Sequence, residues 1–167
     1  MAYGFSVEDE IHWRSVAKPL PRLVKEIEVG VVVRDDEDIA VNLLPGEMED
    51  KWIVLLDPEE PWIDFHRSWT GFLIYRAYFE IAPSGDTFFR RALVSRDPEQ
   101  YTETDDAYDS AILRWLIRAL LCGQDVPFPL NPSLTGDAAV LAGWSVGGSA
   151  AFASPPPDPP RPPPDRR

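Results

Sequence analysis

The chain is short of the residue types that most often perform chemistry. Of its 167 residues one is cysteine, Cys122, and two are histidine, His12 and His66. A single thiol excludes an internal disulfide framework and any cysteine-built zinc site. Two imidazoles leave too few nitrogen ligands for a zinc centre, whereas a hard cation held by carboxylates remains open. Basic charge is scarce as well: 16 Lys and Arg against 28 Asp and Glu give a net charge of −12. No broad basic surface is available for phosphate backbones, which excludes general nucleic-acid binding. No membrane-spanning segment is expected, and Met1–Glu10 lacks the basic start and apolar middle of a signal peptide. The expectation is therefore a cytoplasmic protein without membrane association.

What is present suits one packed core. Hydrophobic residues make up 44% and charged residues 26%, a globular composition. At this length the chain predicts a single domain over residues 1–150, followed by a proline-rich tail over 151–167 that cannot build a core. Pro19 and Pro21 end any helix that begins near Ser6. Lys25–Arg34 is rich in β-branched residues and reads as a strand, with Ile39–Leu43 as its returning hairpin arm after the acidic turn at 35–38. Trp52–Leu56, Thr70–Ile81 and Thr87–Ser95 follow as strands, the last two joined by the turn Pro83-Ser84-Gly85-Asp86. Along Thr70–Ile81, the residues Leu73, Tyr75, Ala77, Phe79 and Ile81 form an almost wholly apolar face. The return strand places Arg91 opposite Tyr78 and diagonal to Glu80. One long, mostly buried helix over Asp105–Leu121 is expected, capped by Thr104 or Asp105 and stopped by Gly123, with Ser110, Arg114 and Arg118 as a narrow polar stripe. Cys122, at its end, reads as an inert buried thiol. A short element is expected within 137–143. The predicted class is α+β: an antiparallel sheet of about five strands under that helix.

The densest group of chemically capable side chains is Phe65-His66-Arg67-Ser68-Trp69-Thr70-Gly71. In an extended segment His66, Ser68 and Thr70 share one side with Arg76, a titratable imidazole, two hydroxyls and a guanidinium suited to a phosphate or carboxylate. Arg67 and Trp69 take the other side, and Trp62 and Trp69 offer stacking surface. His66 and Ser68 are the candidate catalytic pair; Arg67, Trp69, Thr70, Arg76 and Arg96 are candidate ligand-binding residues. The acidic helix start, with Asp105, Asp106 and Asp109 in one turn, is a candidate Mg²⁺ site. Three functions fit these residues. The first is a domain binding a small anionic ligand, nucleotide-like or ADP-ribose-like, at His66–Gly71. The second is a Mg²⁺-assisted hydrolase of a phosphorylated or ADP-ribosylated substrate, with His66 as acid or base. The third is an acidic module steered to a basic protein partner, which an exposed apolar patch at Phe72, Ile74 and Tyr78 would favour.

Two resemblances attach to these stretches. Thr104-Asp105-Asp106 resembles the Thr-Asp-Asp-Thr segment of ADP-ribosylglycohydrolases, which implies metal-supporting aspartates at a helix N-terminus; Ala107 stands at the second threonine, and that family is longer and all-helical. Phe65–Gly71 together with Arg96-Asp97-Pro98-Glu99-Gln100-Tyr101 resembles a group of small uncharacterised bacterial proteins carrying both blocks. That likeness implies a compact domain with the blocks close together, and no activity.

Overall fold

The computed structural model describes residues 6–45 and 51–129. In chain order these form helix α1 (Val7–Val16) and strands β1 (Val24–Val33), β2 (Trp52–Leu56), β3 (Trp62–Arg67), β4 (Leu73–Ile81) and β5 (Thr87–Ser95). Helix α2 (Asp106–Leu116) follows and widens into a π-helical turn over Ile117–Leu121. The strands make one sheet in the order β1-β5-β4-β3-β2, antiparallel at every ladder. The α+β class and the five-stranded sheet are as the sequence predicts. The short element expected at 137–143 and the proline-rich tail lie outside the described residues.

The five strands are not the five expected. Ile39–Leu43 is not a hairpin arm: it touches the sheet only where Leu43 bridges Val54. Asn42 sits at φ 55, a left-handed conformation that breaks an extended run, and its Oδ1 accepts from Leu56 N and Arg14 Nη2. β1 pairs instead with β5, through a bulge between Glu28 and Val31 where Gly30 takes φ 71. The missing strand is β3, and the segment expected to open β4 is the hairpin turn that follows it.

The single long helix is also corrected. α2 has eleven residues before the five-residue π turn, and α1 is a second helix of ten. A capping box nucleates α1: Asp9 N donates to Ser6 Oγ while Ser6 N donates to Asp9 Oδ2. At α2 the cap is Asp105, whose Oδ1 accepts from Ala107 N and Tyr108 N. Gly123 ends the run at φ 64, and Cys122 beside it is half-buried, its thiol pushed up by burial.

α2 buries Tyr108, Ile112, Leu113, Trp115 and Leu116 against the sheet face bearing Val29, Val31, Val54, Phe65, Tyr75 and Ala77. Each fully enclosed Leu or Ile contributes about 1.5–3 kcal/mol. The polar stripe has a structural use. Arg114 Nη1 donates to Val29 O at 3.3 Å and Arg118 Nη2 to Val32 O at 2.8 Å, covering carbonyls of the edge strand β1 that would otherwise template further pairing. On the opposite face Ile53, Leu55 and Leu44 pack beneath Trp13 and Ala17 of the lead-in. Arg91 does lie over Tyr78, 3.9 Å from the ring centroid, but Glu80 pairs with Arg90 and Arg91 pairs with Glu26. The register slips between Ala77 and Phe79, which moves the charge pair by one residue.

Register also fixes which stretches meet. Val24 pairs with Ser95, Tyr75 with Val94, His66 with Leu73 and Trp52 with Arg67. The start of β1, the end of β5, the β3–β4 hairpin and the start of β2 therefore gather at one end of the sheet. The 17–23 lead-in is tied to that end by Lys18 N donating to Gly71 O and Arg96 N donating to Leu23 O.

Candidate functional site at one end of the sheet

The Phe65–Gly71 stretch divides between strand and turn. Arg67 closes the hairpin through Arg67 N to Phe72 O and Gly71 N to Arg67 O. Ser68, Trp69 and Thr70 lie in the turn and not in a strand, so the expected row of His66, Ser68 and Thr70 does not form. Gly71 takes φ 76, which lets the chain reverse. Ser68 is buried and its N donates to Lys51 O; Thr70 is exposed and its Oγ1 accepts from Phe72 N. Trp69 stands out at the tip with Lys51 Nζ 5.1 Å from its ring.

His66 and Arg76 do share a sheet face, the one turned away from α2, but each is engaged by its own neighbours. His66 is 3% exposed and its Nδ1 lies 3.0 Å from Gly71 O, a carbonyl that also accepts from Lys18 N. Nδ1 is therefore the protonated nitrogen. Burial pulls the imidazole below its ordinary value, against the opposing effect of that bond. Arg76 grips Asp64 with two bonds of 2.8 and 2.9 Å and stacks on Trp62 at 4.5 Å. The bond to Asp64 holds its guanidinium charged. These two residues are spent on the fold.

The imidazole gives a pH prediction. An unfolded chain takes up the His66 proton near 6.5, whereas the buried ring resists it until lower pH. Between those values the unfolded state holds more protons, so stability rises with pH and is lost on acidification, by about 1.4 kcal/mol per pH unit inside the window. His66→Asn, which keeps an N–H donor near Nδ1, is expected to flatten the melting temperature between pH 7 and 5. An equally steep slope in the variant would assign the titration elsewhere.

The aspartates likewise have other duties. Asp105 caps α2. Asp106 Oδ1 takes Arg96 Nη2 at 2.6 Å, with Lys25 at 4.0 Å from Oδ2. Asp109 is fully enclosed and accepts Tyr75 and Tyr101 hydroxyls on Oδ1, both at 2.6 Å, while Arg96 Nη2 lies 2.7 Å from Oδ2 as an ion pair. Among the described residues no group of three His, Cys, Asp or Glu is arranged to hold a metal ion. The donor set does not fit Mg²⁺, because each carboxylate already serves an N–H, a phenol or a guanidinium. The sheet also stands between His66 and Asp109: Phe65 faces α2, and the next residue along β3 faces away. The structure does not bring together the histidine and aspartates that metal-assisted hydrolysis needs.

What the sheet end does bring together is Arg67, Trp52, the 98–103 segment and Tyr108, around a cleft of about 320 Å³. The Arg67 guanidinium lies 5.0 Å from the Trp52 ring centroid. Burial lowers its pKa, and the Tyr101 and Tyr75 phenols act in the other direction. Behind this floor the Tyr75 and Tyr101 hydroxyls are 3.0 Å apart above Asp109. Burial pushes both phenols up and raises the Asp109 carboxyl as well, so the phenols act as hydrogen-bond donors, not bases. For Arg96 burial works against the charge, but the bonds to Asp106 and Asp109 more than offset it. Arg96 Nη1 also donates to Glu103 O, which fixes the 97–105 segment over the cleft.

Of the residues singled out in the sequence, Arg67 lines this cleft. Arg96 does not line it but holds Glu103, which does; Trp69, Thr70 and Arg76 do not line it either. Trp52, Tyr75, Gln100 and Tyr101 are additions that the sequence reading lacks. A tyrosine on an apolar strand face is the available signal, since a buried hydroxyl needs a partner. At Phe72, Ile74 and Tyr78, where an exposed apolar patch would favour a protein partner, Ile74 is enclosed and the other two are half-buried. No helix among the described residues is long and apolar enough to cross a membrane. Comparison with protein-family models, with curated proteins and with solved structures finds no match.

Proposed function

We propose that the chain binds a small anionic ligand bearing a ring, of the nucleotide or sugar-phosphate class, in the cleft floored by Arg67. The observation that carries this reading is the half-buried guanidinium of Arg67, stacked on Trp52 inside a cleft whose other walls include Tyr101 and Tyr108. A guanidinium presents a planar fork to phosphate or carboxylate oxygens, and removing it from water strengthens that attraction. The tyrosine rings give a flat surface for a base or sugar, and Glu99 at the rim can accept from hydroxyls. Arg67 belongs to the stretch first singled out in the sequence; the ligand side is the side opposite His66.

The test is calorimetric titration of AMP, ribose 5-phosphate and inorganic phosphate into wild type and Arg67→Ala. Wild type is expected to bind AMP, and the variant to bind it at least about tenfold more weakly, a loss of about 1.4 kcal/mol. Arg67→Lys keeps a point charge without the fork and falls between them. The reading is wrong if AMP gives no signal with wild type at about 1 mM, the level corresponding to about 4 kcal/mol of affinity. It is equally wrong if Arg67→Ala binds AMP unchanged while folding normally by circular dichroism.

A further inference from the structure

Asp109 is the one buried carboxylate among the described residues, and the proposed binding does not use it. An enclosed ion cluster is a costly core filler, since apolar side chains of like volume often serve as well or better. This one is bonded to Tyr101, a wall of the Arg67 cleft. As a carboxylate Asp109 only accepts. Its Oδ1 takes the single hydroxyl proton of Tyr75 and that of Tyr101, each at 2.6 Å. With both protons turned to the carboxylate, the 3.0 Å approach of the two phenol oxygens depends on the acceptor they share. The rings follow, edge to face with centroids 6.2 Å apart. At the other oxygen Arg96 Nη2 lies 2.7 Å away, while Arg96 Nη1 donates to Glu103 O. One carboxylate thus ties down two parts of the cleft wall, the Tyr101 ring and the Glu103 backbone. Its phenol partners also reach the floor: burial works against the Arg67 charge, and Tyr101 and Tyr75 work for it.

We infer that Asp109 is a positioning residue for the ligand of the Arg67 cleft. Through the Tyr75 and Tyr101 hydroxyls and through Arg96, it holds the cleft in its binding shape before a ligand arrives. The inference rests on the proposed function and adds to its contact residues the groups behind them. A wall ordered beforehand spares the ligand the cost of ordering it, so affinity depends on groups the ligand never touches. Tyr75 is the decisive one. It is fully enclosed and does not line the cleft, so whatever its hydroxyl does to binding is transmitted through Asp109, Tyr101 and Arg67.

The experiment measures AMP affinity by calorimetry, and amide hydrogen exchange without ligand, in wild type, Tyr75→Phe, Tyr101→Phe, Arg67→Ala and Val33→Ala. The two tyrosine variants keep their rings and lose only a hydroxyl; should one fail to fold, the other carries the test. Each is expected to bind AMP at least about fivefold more weakly than wild type, the low end of coupling between sites. The Gln100 and Tyr101 amides, which both donate to Asp97 O, should exchange faster in both variants as the wall loosens. Val33→Ala controls for lost stability alone. Val33 is buried at the far end of the sheet, paired with Thr87, so this variant should melt earlier and match wild type in AMP affinity and in those two amides. If the tyrosine variants bind AMP as tightly as wild type, or leave the two amides unchanged, the inference is overturned. Loss of AMP binding in Arg67→Ala would then leave the proposed function standing. Val33→Ala weakening AMP as much as Tyr75→Phe would also overturn the inference, because stability alone would then set affinity. If AMP does not bind wild type, the proposed function falls and the inference falls with it.

Discussion

Replacing Arg96 with alanine is expected to cost about 3–5 kcal/mol of folding stability at pH 7, the penalty for stripping a buried carboxylate of its counter-charge. Asp109 has no exposed side-chain surface, and its Oδ2 has Arg96 at 2.7 Å. The two phenols on Oδ1 would remain, but dipoles do not replace a cation. The cost depends on pH in a fixed direction. Burial already raises the Asp109 carboxyl above its ordinary 3.8, and Arg96 is among the groups holding it down. Without the guanidinium the folded-state value climbs further, so the folded variant binds a proton more readily than its unfolded chain does. Stability of the variant therefore falls as pH rises through that window and recovers on acidification, once Asp109 is neutral. Urea unfolding of both proteins between pH 5 and 8 measures the difference. A cost below about 1 kcal/mol, the level of an exposed pair, or one that does not change with pH, would show that Asp109 is not the group left uncompensated. Asp106→Ala is the control: this partner is half-exposed, and its loss is expected to cost less than about 1 kcal/mol.

The same cluster separates what the sequence encodes locally from what only the fold supplies. Alternation identifies the apolar face of β4, and capping chemistry locates the start of α2, because both signals are local. The pairing of β1 with β5 is not local. Lys25–Arg34 and Ile39–Leu43 have the composition of a hairpin, and only the left-handed Asn42, itself held by Arg14 and Leu56, shows why the second arm is lost. The expected row of polar side chains fails for a related reason. His66, Ser68 and Thr70 have period-2 spacing, yet Gly71 after Ser-Trp-Thr is also a turn signal, and the structure takes the turn. Arg67 stands on the side of the strand that the period-2 reading ranks second. Its neighbours come from β2, from 98–103 and from α2, contacts between segments that no spacing rule encodes. Asp109 resembles a metal ligand in the sequence because a carboxylate at a helix start is usually wet. Its enclosure depends on Tyr75 in β4, a strand and a loop earlier.

Gly71→Ala is expected to be the most damaging single-methyl change in the hairpin, and for two separable reasons. The backbone at φ 76 disfavours any side chain by about 1–2 kcal/mol. An added Cβ would also run into the Val16 carbonyl oxygen, closer than atoms can approach. The lead-in must then move, at a further cost of about 1–3 kcal/mol by analogy with overpacked sites. Gly123 supplies the comparison: it has φ 64, but an added methyl group would meet nothing within 4 Å. Gly123→Ala should therefore show the backbone cost alone, and the excess of Gly71→Ala over it measures the contact with Val16. Moving Val16–Lys18 breaks Lys18 N–H to Gly71 O and uncovers His66, so faster protease cleavage near Lys18 and a His66 titration closer to ordinary should accompany the lost stability. Equal costs at the two glycines would mean that the lead-in yields freely and that the contact with Val16 is not what fixes it.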